Sequence, residues 1–297
     1  MRTGIFAGLA AGALWGLVFV APRMTPGLSS VDLAAGRFVS YGAMSALMMG
    51  LSFRMRRLPT LAQAAFAVIM SVLGFTGYYL LLVLAVHDIG TELPTLIIGT
   101  IPLWLMLLAK PQGLRWTVLA PGLLLTAGGL LLMMDITHAA SLARASPFYW
   151  RGIGMALLAM LSWTAFALFN SAWLKRHPDV NATDWANWLG LATGAGALLM
   201  WLIAGSAPGV LLNLERGWQL ALVCIATGVG SAWGATILWN VASQRLSASL
   251  CGQLIVSETL FALLYSFVWD GVWPGALQAA AAVLFTLGIM ASIRAHQ

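Results

Sequence analysis

The stretch LIVSETLFALLY, residues 254–265, holds one ionisable side chain, Glu258, inside a run that carries no other charge from 246 to 268. A charge placed at the centre of a hydrocarbon layer costs at least about 2.5–3.5 kcal/mol. Such a residue therefore needs a use. Glu258 could pair with the ammonium of a substrate, or carry a coupling proton that the substrate displaces. The structural alternative is a neutral glutamate hydrogen-bonded to a neighbouring helix, for instance to a carbonyl freed by Pro102.

Other candidates come as stripes. Trp163, Phe166, Asn170 and Trp173 recur at helical spacing and share one face. Aromatic stripes serve packing as well as binding, but an amide such as Asn170 needs a partner that lipid does not offer. Phe75, Tyr78 and Tyr79 form a similar stripe, and the two phenols lie deeper than an interfacial belt would put them. Trp233, Asn240 and Gln244 share a face near the end of a later segment, where simple solvation of the amides is the competing account. Glycines at 4, 8, 12 and 16 form a ridge suited to close helix packing, and Trp15 and Phe19 flank it, bordering a cavity or facing lipid. Pro102 sits where it cannot donate to the carbonyl of Ile98, so it bends its helix near mid-membrane.

The elements that position these residues are membrane spans. Only 8% of the 297 residues are charged and 61% are hydrophobic, whereas about 25% are charged in a typical soluble domain. Apolar runs approach the ~20 residues that cross a bilayer. Ten spans emerge, at 4–21, 31–51, 61–86, 92–109, 116–134, 149–174, 183–204, 218–241, 246–268 and 273–293. The opening segment has Arg2 before its apolar stretch, but that stretch is too long for a signal peptide core and reads as an uncleaved first span. Cys224 and Cys251 fall inside spans, which argues against a disulfide framework, and the four histidines have no metal-site spacing. The net charge of +6 is spread over short loops and reads as a topology signal, with no nucleic-acid partner implied.

With the N-terminus in the cytoplasm, that side holds Arg2, Arg54, Arg56, Arg57, Lys110, Arg115, Lys175, Arg176, Arg245 and Arg294. The other side holds Arg23, Arg144, Arg151 and Arg216, together with Arg37, which lies inside the second span and is expected to snorkel outward. Ten cations against five place both termini in the cytoplasm. The chain also repeats itself faintly: AVHDIGTEL at 85–93 lies over ASQRLSASL at 242–250, and ALWG at 13–16 over LSWT at 161–164. Five spans per half is an odd number, so the second half enters the membrane upside down. The expected fold is an all-α membrane protein, a single domain over 1–297, with ten transmembrane helices as two inverted five-helix repeats (about 1–140 and 149–297) around a central cavity.

The five-plus-five arrangement, the early ALWG, TIPLW at 100–104 and SETLFALLYSFVWDG at 257–271 resemble the drug/metabolite transporter superfamily, in its EamA-like form. The whole chain is most similar to the YddG-type aromatic amino-acid exporters of bacterial inner membranes. Thr259 stands where that family usually has proline and Asp270 where it usually has glutamate, so a kink in the ninth span is not expected and the closing charge is kept. The resemblance implies a multi-pass inner-membrane carrier that exports amino acids, aromatic ones foremost, or related small metabolites by alternating access. The substrate-binding candidates are Trp15, Phe19, Tyr78, Tyr79, Pro102, Trp163, Asn170, Trp233 and Glu258, with Glu258 also the coupling candidate.

No nucleotide, hydrolase or metalloprotease motif is present, so no enzyme activity, cofactor or metal is expected. The expected partners are a small-molecule substrate and the lipid bilayer, and a monomer is compatible with the sequence. The rivals are an exporter of another drug or metabolite class, an intramembrane enzyme using Glu258, and a channel. The enzyme would want a second titratable group at membrane depth, and none stands out in the sequence. The channel would want rings of charges or carbonyls. The topology is open to test: in a background without other cysteines, a cysteine at position 143 should react with an impermeant reagent from outside the cell. One at position 55 should react only after the membrane is opened; the reverse pattern overturns the orientation.

Overall fold

A computed structural model of the protein describes residues 1–24, 28–51, 58–133, 146–212, 217–271 and 273–297, and every regular element among them is helical. The cations at 54, 56, 57, 144 and 216 lie outside the described residues, as does nearly all of the 141–147 loop. So does the side chain of Asp270. The helices are α1 (Arg2–Gly16, continued by a tight turn to Phe19), α2 (Ser30–Leu51), α3 (Leu61–Ile89), α4 (Glu92–Gly99) and α5 (Ile101–Leu108). After α6 (Trp116–Met133) come α7 (Tyr149–Arg176), α8 (Ala182–Ala204), α9 (Gly217–Arg245), α10 (Ala248–Asp270) and α11 (Ala276–Ala295). Among the described residues, eight stretches are long and apolar enough to cross a bilayer: α1 with its extension, α3, and α6 through α11. The chain is an all-α, multi-pass membrane protein. α2, with Asp32 and Arg37, is not among the eight, nor is the interrupted pair α4 and α5.

Local chemistry sets the ends of these helices. Thr60 and Gln63 close a reciprocal capping box at the start of α3, with bonds of 3.3 and 2.9 Å. Asn181 caps α8 through the Asp184 amide at 2.8 Å, and Ser247 caps α10 through the Leu250 amide at 3.2 Å. Gly271 ends α10 in the left-handed conformation, at φ 64°, which a side chain would strain.

In lipid there is no hydrophobic drive between helices, so association depends on close approach and polar bonds. The glycine ridge of α1 lies flush on α10. A Cβ at Gly8 would meet Leu254, one at Gly12 would collide with Ser257, and one at Gly16 would stand 2.9 Å from the Ala262 amide nitrogen. The two helices run in the same direction, because position rises along both together. α2 and α8 cross antiparallel: Gly42 faces Gly194, while Tyr41 and Ser45 face Gly190. α6 and α11 also pack antiparallel, through Gly122 on Ser292 and Gly129 on Phe285. Polar bonds add to these contacts: Tyr41 donates to the Ala186 carbonyl at 2.7 Å, and Ser71 meets Thr193 at 2.9 Å. At the far end of the bundle from the termini, Arg151 grips the buried Asp88 carboxylate with bonds of 2.7 and 2.6 Å, tying α7 to α3.

Two helices loosen into π turns, α3 over Val72–Thr76 and α9 over Thr227–Gly234. The first exposes the Leu73 carbonyl, which accepts from Ser162 at 2.8 Å. The expected bend at Pro102 is a full interruption, centred on Thr100 between α4 and α5. There the Thr100 hydroxyl and amide both bond the Ile97 carbonyl, at 2.6 and 3.1 Å.

Gly194 and Gly50 separate packing from helix propensity. A Cβ at Gly194 would stand 2.8 Å from the Gly42 Cα, whereas nothing lies within 4 Å of one at Gly50. Gly194→Ala should therefore destabilise the detergent-solubilised protein by about 1–3 kcal/mol, as overpacking does. Gly50→Ala should be neutral or slightly stabilising. Thermal unfolding of both variants reads the difference, and equal effects would contradict the close crossing.

Candidate functional site

α1, α2, α3, α4, α5, α6, α7, α9, α10 and α11 surround a cavity of about 650 Å³. Its wall includes Trp15, Phe19, Tyr78, Tyr79, Pro102, Trp163 and Glu258, seven of the nine residues singled out from the sequence. The floor is a cluster of three tryptophans. Trp15 and Trp239 have ring centroids 5.5 Å apart, Trp163 and Trp239 6.1 Å, and Trp15 and Trp163 6.3 Å. Trp239 is only 2% exposed. The mouth lies at the end of the bundle away from both termini, where the lining residues Phe19, Arg23 and Thr95 are exposed.

Each wall residue is set by its helix. Trp15 flanks the glycine ridge, so the α1–α10 contact that buries Gly12 and Gly16 also aims Trp15 at the cavity. Phe75 is carried by the π turn of α3, and the phenols of Tyr78 and Tyr79 follow within one turn. Tyr79 donates to the Ser30 carbonyl at 3.0 Å. Phe38, Phe75 and Phe166 form a connected ring wall, with centroids 5.9 and 5.5 Å apart in sequence. Glu258 lines the cavity from α10, beside Thr259 and Ala262. Among the described residues no hydrogen bond reaches it, so the bond to a Pro102-freed carbonyl is not made.

Two sequence candidates lie elsewhere. Asn170 is fully buried, but below the tryptophan floor: it accepts from Trp185 Nε1 at 2.6 Å and donates to Asn240 Oδ1 at 3.1 Å. Its stripe splits, because α7 continues past the cavity; Trp163 and Phe166 line it, while Asn170 and Trp173 enter the packed region beneath. Trp233 donates to Asn187 Oδ1 at 2.8 Å. Asn240 and Gln244 donate to the carbonyls of Ala182 and Val180 at 3.3 and 3.0 Å. That face of α9 is turned to α8, so solvation does not explain its amides. The cavity takes the neighbouring face, with Thr236 and Trp239.

Arg37 departs most from the sequence reading. It does not snorkel outward; it lines the cavity, with its guanidinium carbon 5.2 Å from the Phe38 ring centre and Nη2 3.4 Å from the Ser231 carbonyl. Its Nε has no acceptor among the described residues. It shares the cavity with Glu258, and no ion pair joins the two among the described residues. Arg37 thus joins Glu258 in the cavity wall, where the sequence reading had turned it outward. The usable signal was of the kind that picked out Glu258, a charge within a span, here shared with Asp32 in the first turn. Trp239, Phe38 and Phe285 were also missed, since apolar residues amid apolar residues carry no periodic signal. Cys224 and Cys251 are buried, free thiols.

The chain is 30% identical over 313 aligned positions to the inner membrane protein YtfF of Escherichia coli (strain K12), covering 99% of this chain and 96% of YtfF. A protein of known crystal structure, 21% identical, superposes with a TM-score of 0.77 over 100% of this chain and 99% of that one, which shows the fold alone. No family model matches. Similarity running nearly the full length of both chains, on a bundle of membrane-length helices, makes this chain a member of the YtfF family of multi-pass inner membrane proteins.

Proposed function

We propose that this chain is a secondary transporter of the drug/metabolite type, exporting amino acids, aromatic ones foremost, or related small metabolites by alternating access. The observation that carries the reading is the blind cavity: about 650 Å³, walled by aromatic rings, holding Arg37 and Glu258 beneath an exposed Arg23 at its mouth, and ending at a tryptophan floor. Its size falls within the range of small-molecule sites, roughly 300–1,000 Å³. A carrier needs such a dead end, whereas a channel needs a path through. No chemistry on the substrate is part of the reading.

Ten helices in two inverted repeats, with α4 and α5 as one broken helix, fit the packing. Exchanging the halves turns the α1–α9 contact into α7–α3, and α1–α10 into α7–α4 and α7–α5. It leaves α2–α8, α5–α10 and α6–α11 paired as they are. The π turns of α3 and α9 also correspond under that exchange. Equivalent helices that cross antiparallel, as α2 and α8 do, are what inversion requires. With both termini cytoplasmic, as the cation bias favours, the cavity opens outward.

Purified protein in liposomes tests this directly. Labelled phenylalanine, tryptophan, leucine and a set of unrelated metabolites are offered, with and without a pH gradient. Saturable uptake that shows counterflow is the expected result. Linear, unsaturable flux or none with every compound would refute the carrier. Glu258→Gln should keep the fold and nearly abolish flux if the carboxylate binds substrate or carries a coupling proton; native flux with unchanged pH dependence leaves only a structural role.

The two tryptophan-stripe positions should separate. Trp163→Ala should shift the preference between aromatic and aliphatic amino acids about tenfold, with folded yield near native. Asn170→Ala should lower stability by about 1–3 kcal/mol, because it strands the Trp185 donor and the Asn240 amide, and should leave preference alone. Uptake ratios and thermal unfolding measure the pair.

A further inference from the structure

We infer, granting the carrier reading above, that the cavity selects zwitterions, with the carboxylate of an α-amino acid held toward Arg37 and its ammonium toward Glu258. Amines and carboxylic acids of the same shape are thereby discriminated against. Arg37 projects from α2 and Glu258 from α10, so the two charges belong to different walls of one cavity. Neither is neutralised in place. Arg37 has a long bond to the Ser231 carbonyl, a flanking Phe38 ring and an Nε with no acceptor. Glu258 has no hydrogen-bond or ion-pair partner among the described residues, and the other titratable side chains lining the cavity are the phenols Tyr78 and Tyr79 and, at the mouth, Arg23.

Arg37 and Glu258 face one cavity from different helices, and no ion pair joins them among the described residues. Opposite charges held apart in an apolar surround form a fixed dipole, and its best complement is a ligand with the reverse dipole. A zwitterion meets both poles and leaves the cavity's net charge unchanged. A bare amine meets Glu258 but leaves Arg37 without a counter-charge, and a bare acid does the opposite. An unmatched charge removed from bulk water is strongly disfavoured. Arginine suits the carboxylate pole, because its planar guanidinium matches a carboxylate and stays charged. The rest of the ligand then meets Trp15, Trp163 and Trp239, which favour a large apolar side chain.

The test is competition for labelled L-phenylalanine on the full-length protein in lipid nanodiscs, using unlabelled L-phenylalanine, phenethylamine and 3-phenylpropionate. These three share the ring and differ only in the charged poles. Unlabelled L-phenylalanine should compete about a hundredfold better than either of the others. An amine or acid competing within about threefold of it would overturn the inference. Arg37→Gln should bring phenethylamine level with L-phenylalanine while the acid stays weak, and Glu258→Gln should do the reverse. Arg37→Lys should restore part of the preference. Variants that bind with the native preference would also overturn it. Should a variant fail to fold, the native-protein competition still decides. Saturable counterflow of another compound, with no phenylalanine binding, would sink the zwitterion assignment and leave the carrier standing; absence of saturable flux with every compound would remove the carrier itself.

Discussion

The contact on which the site depends is the one between α1 and α10, where Gly8, Gly12 and Gly16 bring two helical backbones together. Because lipid tails are as apolar as leucine, only a close fit holds such helices. Gly8, Gly12 and Gly16 provide that fit against Leu254, Ser257 and Ala262 in turn, and Gly4 meets Leu246 in the turn before α10. With that face of α1 committed, Trp15 must point sideways, and Glu258, one residue beyond Ser257, is turned off the contact into the cavity. A side chain added to the ridge would push α10 away and move the carboxylate with it. The glycine stripe is therefore pure packing and still sets the position of the site.

Much of this was legible in the sequence, and what was legible follows from what lipid forbids. Glu258 stood out because hydrocarbon tolerates no idle charge, and the bundle itself because so few charges cover so long a chain. Tyr78, Tyr79, Trp15 and Trp163 were found by their depth and spacing. Asn170 was found for a sound reason, a buried amide needing a partner, but its partners are Asn240 and Trp185, below the cavity. Sequence periodicity identifies a helical face; it does not say whether that face meets a cavity or another helix. For α7 both occur on one stripe, at different depths.

Arg37 shows the opposite failure. A cation inside a span has two solutions, reaching the interface along its own flexible chain or being enclosed by protein. Seven residues from the start of α2, snorkelling was within reach on the helix alone. What decides the matter is non-local: the π turn of α9 offers the Ser231 carbonyl, and α3 packs Phe75 beside Phe38, so the enclosed route is already lined. A π turn leaves no compositional mark that distinguishes VLGFT from ordinary helix, and the interruption at Thr100 likewise shows in the sequence only as Pro102 two residues later.

The unequal sealing of the two ends completes the physical picture. Toward the termini, the tryptophan floor rests on the Asn170–Asn240–Trp185 bonds, and beneath these Trp173 stacks 4.0 Å from Trp185 and 4.2 Å from His177, with Phe66 at 5.6 Å. Toward the mouth, exposed Phe19, Arg23 and Thr95 border open space. Opening the sealed end would strip hydrogen bonds from two buried amides and an indole and separate several stacked rings, so it needs compensation. For a carrier, that compensation must come from closing the mouth on a ligand. A ligand that satisfies Arg37 and Glu258 together is suited to this, because drawing α2 and α10 toward each other shortens both of its charged contacts at once. A ligand that met one charge alone would give the opposite wall no reason to move.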